Sequence, residues 1–156
     1  MRVAKILLTA FSMVILWGCD TTYGISRYSP VGAVRLPIEC MVKATKSVVG
    51  VSDVEHRTEE GGRELTFGGI QQPEIIDRFL YTYDGLNGNY YFRTNYKGIV
   101  EFRHTYIDIN RRPPQSEIDK IRPVMIEIEI SVSQQCQIDI SAKTIEDCMG
   151  VTCDGV

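Results

Sequence analysis

The sequence predicts an α+β domain of two layers: an N-terminal helix, an antiparallel sheet of about four or five strands, and a long C-terminal helix. Three observations predict it. Apolar residues recur every three or four positions from Ile38 to Val49, and again from Ile118 to Val132, the period of a helix face. Between those runs, aromatic-rich segments are cut by Asp-Gly, Asn-Gly and Lys-Gly, the punctuation of hairpins. The order helix, strands, helix is that of helices packed on one face of a sheet.

The chain opens on a segment of a different kind. Arg2 and Lys5 make a short positive start, and Ile6 to Leu16 is an uncharged, mostly apolar run of 11 residues. At about 1.5 Å per helical residue, that run is too short for a hydrocarbon core of roughly 30 Å. It reads as an export signal, not a spanning helix. Its end, Leu16-Trp17-Gly18-Cys19, resembles the lipobox of bacterial lipoproteins, with Trp17 where that family prefers a small residue. In that family a lipid is attached to the cysteine thiol, the signal is cut just before it, and the new amino terminus is acylated. The resemblance covers residues 1–19 alone. It implies that Cys19 is the lipidation site and that the protein is held on a bacterial envelope membrane, facing the periplasm. Several acyl chains make such an anchor stable, where one is marginal. Asp20 resembles the inner-membrane retention signal of enterobacterial lipoproteins, which favours the inner membrane over the outer.

Removing the first 18 of 156 residues leaves 138, enough for one domain with its own core. The net charge of −3 becomes −5, because Arg2 and Lys5 leave with the signal. That balance argues against nucleic acid as a partner, since phosphate contacts need a positive footprint. Apart from Cys19, four cysteines are left: Cys40, Cys136, Cys148 and Cys153. An even number in an exported chain reads as two disulfides, and four cysteines allow three pairings. The preferred pairing is Cys40–Cys136, tying the start of the domain to its last long element, with Cys148–Cys153 closing a short loop in the tail. Zinc is disfavoured, because paired C-x-x-C units are absent and the histidines sit elsewhere.

Residues 19–35 are polar and broken by Gly24, Pro30 and Gly32, which reads as a tether. Residues 36–156 form the domain. Pro37 to Val48 is the first helix, with Pro37 at its first position and Gly50 as its stop. Val51 to His56 is a short strand. Glu59-Glu60-Gly61-Gly62 reads as a turn, Glu64 to Phe67 as a second strand, and Gln71-Gln72-Pro73 as a break. Residues 77–110 read as a three-stranded meander, turning at Asp84–Asn89 and at Lys97-Gly98. Arg111-Arg112-Pro113-Pro114 is a loop.

Residues 116–135 carry two periods at once. Ile118, Ile121, Met125, Ile128 and Val132 step as a helix, while Ile126, Ile128, Ile130 and Val132 alternate with Glu127, Glu129, Ser131 and Ser133 as a strand. Ser116 and Asp119 have the spacing of a capping box. With a length of some 20 residues, this favours one helix kinked at Pro123 and running to about Gln135. The tail, with Cys148 and Cys153, has room for a helical turn near Thr144–Met149.

The sequence carries no G-x-S-x-G elbow, Walker loop, H-E-x-x-H or G-x-G-x-x-G. Two histidines, His56 and His104, are too few for a multi-histidine metal site, and no cofactor is implied. Asp84 among Tyr81, Tyr83, Tyr90 and Tyr91 has the composition of a sugar site, though a turn Asp with paired tyrosines explains it more simply. Arg103, His104, Arg111 and Arg112 make a basic spot. Tyr and Arg are the commonest interface anchors, so Tyr81, Tyr83, Tyr90, Tyr91, Arg103, Arg111 and Arg112 are the candidate partner-binding residues. The expectation is a non-catalytic binding or assembly module, lipid-anchored in the envelope, whose partner is another envelope protein. The alternative is an inhibitor or immunity protein acting on an envelope hydrolase or toxin, and a glycan enzyme ranks last.

Overall fold

The structure is a computed structural model that describes residues 23–32, 34–63, 72–108 and 111–149. The expected export signal with Cys19, the expected strand Glu64–Phe67 and Cys153 lie outside the described residues. The side chain of Cys148 does too, and with it the expected Cys148–Cys153 bridge.

In chain order the elements are β1 (Tyr23–Gly32), α1 (Ile38–Lys46), β2 (Val51–Arg63), β3 (Gln72–Tyr83), β4 (Leu86–Thr94), β5 (Val100–Asp108), α2 (Gln115–Cys136) and β6 (Lys143–Met149). The strands form one antiparallel sheet in the order β2-β3-β4-β5-β1-β6. Ile25, Phe79, Phe92, Phe102, Met41, Ile121, Met125 and Ile128 are buried between that sheet and the two helices. The domain is therefore α+β, as its patterning predicts.

Two elements were not legible as strands. Residues 23–32 are no tether: they pair with β5 on one side and β6 on the other. Their inward side chains are Ile25, Arg27 and Ser29, two of them polar, so no apolar alternation marks them. Both polar groups are satisfied inside the fold. Arg27 meets Glu129, and Ser29 Oγ accepts the Ser141 N–H at 3.1 Å. The tail likewise supplies β6, not a helical turn. Elsewhere β2 is longer than expected, running through Glu59–Gly62, and β3 starts at Gln72, across the expected break.

The hairpin signal is sharper in the structure than in the sequence. Only Asp84 and Gly85 turn, with φ of 49° and 76°, the positive pair of a type I′ turn. Leu86 to Asn89 already belong to β4.

Residues 115–136 form one helix with Pro123 inside it. The strand reading of Glu127 and Glu129 is thereby excluded, and the two carboxylates part: Glu127 is exposed and Glu129 buried. No capping box forms. Pro114 occupies the N-cap without a side-chain bond, and Asp119 accepts from Gln115 Nε2 at 2.8 Å. Ser116 already lies inside the first turn, too late to cap it. The expected Cys40–Cys136 disulfide is present, joining α1 to the end of α2 across 96 residues. Ser131 Oγ, donating to the Ala44 carbonyl at 2.9 Å, holds the same pair of helices.

Candidate functional site

Four polar side chains meet in the interior. Arg27 comes from β1, Tyr81 from β3, His104 from β5 and Glu129 from α2. The register explains the meeting. Phe79, Tyr90, His104 and Arg27 stand opposite one another across β3, β4, β5 and β1, so all four share the helix-facing side. Tyr81 stands opposite Gly88. A Cβ at residue 88 would overlap the Tyr81 ring, so the missing side chain leaves the space through which Tyr81 reaches His104.

Glu129 Oε1 accepts from Arg27 Nε at 2.7 Å and from His104 Nδ1 at 3.0 Å. The carboxylate thus holds the Nδ1 proton, and Nε2 accepts the Tyr81 hydroxyl at 2.8 Å. Burial is the first cause of a His104 pKa below the ordinary histidine value; Arg27 adds to it, and Glu129 opposes both. The imidazole is therefore neutral at pH 7. Burial alone would raise Glu129, but hydrogen bonds from His104 and Arg27 outweigh it and hold the carboxyl below its usual range. Burial pushes the Tyr81 phenol up, so it keeps its proton.

A Tyr–His–Glu chain has the composition of a proton relay. Here it is sealed. His104 is 0 % and Tyr81 2 % exposed, and no substrate reaches either. Among the described residues, the Arg27–Glu129 end borders a cleft of about 350 Å³ walled by Ile126, Ile130, Ile140 and Ala142. At that end the carboxylate is already bonded by Arg27 and His104. The network's role is to satisfy buried charge and lock α2 onto the sheet. No group of three His, Cys, Asp or Glu side chains converges as a metal site among the described residues.

The candidate partner-binding residues separate into three places. Tyr81 and Tyr90 are buried on the helix-facing side, where Tyr90 Oη lies 2.7 Å from Thr45 Oγ1. Tyr83 is half-buried beside Gly50. These three belong to the core or its margin. Tyr91 and Arg103 lie on the opposite side of the sheet. The Arg78 guanidinium sits 4.9 Å and that of Arg93 5.8 Å from the Tyr91 ring centre, and Arg103 lies 6.0 Å from that of Tyr28. Arg111 and Arg112 are exposed beyond the end of β5, with Arg111 bonded to Glu117 at 2.9 Å and to Asp108 at 3.3 Å. The expected basic spot does not form, because Arg103 and His104 are consecutive strand residues and point to opposite faces. Nor do Asp84 and the tyrosines form a sugar site. Asp84 is exposed and paired with Lys120 at 2.9 Å, while Tyr81 and Tyr90 face inward.

The two ends of the sheet differ. At one end, Tyr23 opens β1 opposite Asp108 and Met149, near the β3–β4 turn. At the other end, Ile75, Tyr96 and Ile99 are 46 %, 51 % and 45 % exposed. Ile75 faces Thr94 across the β3–β4 ladder, and Asn95 N–H binds the Ile99 carbonyl at 3.0 Å, which gathers all three at one tip. Sequence reasoning passed over these residues. The available signal was apolar side chains flanking the Lys97-Gly98 turn, where a turn ordinarily carries polar ones.

No known protein family, no characterised protein and no solved structure matches this chain. No helix among the described residues is long and apolar enough to cross a membrane.

Proposed function

We propose that this chain is a lipid-anchored binding module of the bacterial cell envelope, held through Cys19, with its partner surface at the tip formed by Ile75, Tyr96 and Ile99. The partner is another envelope protein. One observation carries the reading: the exposed apolar cluster lies at the end of the sheet away from Tyr23, where the chain arrives from Cys19. β1 spans 10 residues, so at about 3.3 Å per residue the tip stands roughly 30 Å from that entry. Clustered apolar exposure of this kind marks interaction sites, and Tyr is a favoured anchor. The sealed Tyr81–His104–Glu129 relay supports a binding role over a catalytic one.

Two measurements on the full chain in its own membranes test this. Intact mass reports a diacylglyceryl-bearing, acylated Cys19 at the new terminus; an unmodified residue 1–156 mass contradicts the anchor. Cross-linking then captures a defined envelope protein, and Tyr96→Ser combined with Ile99→Ser loses it. Capture undiminished by that double variant removes the tip from the reading. A captured hydrolase or toxin, inhibited on binding, selects the inhibitor or immunity role over assembly.

A further inference from the structure

The structure leaves little chain between Cys19 and the fold. Residues 19–35 read as a tether, yet β1 begins at Tyr23 and is held by both β5 and β6. Cys19 and Tyr23 are four residues apart, so an extended chain spans at most about 14 Å between them. We propose that the end of the domain carrying Tyr23 lies directly on the bilayer, with Ile107, Arg111 and Arg112 in contact with phospholipid. This rests on lipidation of Cys19.

The surface at that end suits the contact. Ile107, one residue from the Tyr23–Asp108 pair, is 39 % exposed. Arg111 and Arg112 follow on the exposed loop, at the height of the headgroups. Carboxylates facing an anionic surface would be repelled, but those described at this end each have a partner. Asp84 pairs with Lys120, and Asp108 and Glu117 both pair with Arg111. Asp119 is hydrogen-bonded by Gln115. The four carboxylates are offset by Lys120, Arg111 and Arg112 to a net charge of −1, so repulsion from an anionic surface is small. Apposition also fixes the direction of the molecule: the β4–β5 connection with Tyr96 and Ile99 points away from the bilayer.

The test uses the full chain in membranes, with a photoreactive benzoylphenylalanine at position 107, 112 or 61. Positions 107 and 112 sit at the Tyr23 end, and exposed Gly61 sits far along β2. Irradiation should give phospholipid adducts several-fold more often from 107 and 112 than from 61. A long Gly-Ser linker inserted between Thr22 and Tyr23 should lower both to the level of 61. Two separate positions guard against a local packing fault at either one. Lipidated protein with equal adducts from all three positions, or none from 107 and 112, overturns the apposition and leaves the anchor standing. Protein whose intact mass lacks the lipid removes the anchor and the apposition together.

Discussion

The centre of the sheet and its tip invert the usual distribution of residues. In the centre, Arg27, Glu129, His104 and the Tyr81 hydroxyl are buried under α2. At the tip, Ile75, Tyr96 and Ile99 stand in water. The difference lies in satisfaction. Each polar group of the central chain has a partner within 3.0 Å, so its burial is compensated. The tip residues gain nothing from their exposure within the monomer. The histidine and the glutamate are buried and bonded to each other. The uncovered apolar residues at the tip are the ones to which the proposed function gives a partner.

The largest effect is expected at Glu129. Glu129→Ala removes the carboxylate that Arg27 Nε and His104 Nδ1 both bond. Loss of one member of a buried pair costs about 3 kcal/mol or more, so denaturant unfolding should show a large drop in midpoint. A change below about 0.5 kcal/mol would mean that the network holds nothing. Gly88→Ala should come next. Its Cβ collides with the Tyr81 ring, and overpacking of this kind costs about 2 kcal/mol. The shifted ring should also lose its bond to His104, visible as a change in the imidazole NMR signals.

Acid should weaken the same central network. Folded His104 lies below its ordinary value of 6.5, so the unfolded chain takes up a proton first as pH falls. Folded Glu129 lies below its ordinary value of 4.5, and again the unfolded chain protonates first. Both groups contribute stability above those values and lose it below them. Unfolding free energy should therefore fall as pH drops through 6.5 and again through 4.5, and Glu129→Gln should flatten the second slope. Stability that rises on acidification across this range contradicts the network as described. The smallest expected effect on folding is at the tip. Tyr96→Ser and Ile99→Ser should each shift stability by no more than about 0.5 kcal/mol, while partner capture disappears. Substantial unfolding by either variant would make the tip part of the core and remove its functional meaning.

The legible and illegible parts of this fold follow the same division. Helix α2 was legible because Ile118, Ile121, Met125, Ile128 and Val132 bury one stripe. The Cys40–Cys136 bridge was legible from the cysteine count and the elements it joins. The meander was legible through Asp84-Gly85. Strand β1 was not, since its inward positions hold Arg27 and Ser29, polar residues that belong inside only because Glu129 and Ser141 meet them. Hydrophobic periodicity cannot register a strand that is buried by pairing. The candidate site was misplaced for a related reason. Residue type chose Tyr81 and Tyr90 as interface anchors, but strand parity turns both toward the helices. Tyr96 and Ile99 sit in a turn, where parity does not apply and exposure is visible only in three dimensions.

Benzoylphenylalanine is placed at position 96 or at position 130 of the full chain, and irradiated in the cells that make it. Ile130 is 49 % exposed, as open as Tyr96, but lies on α2 beside the central cleft. Position 96 should yield one defined envelope-protein adduct that position 130 does not. An adduct from position 130 alone, or the same adducts from both, contradicts a partner surface at the tip.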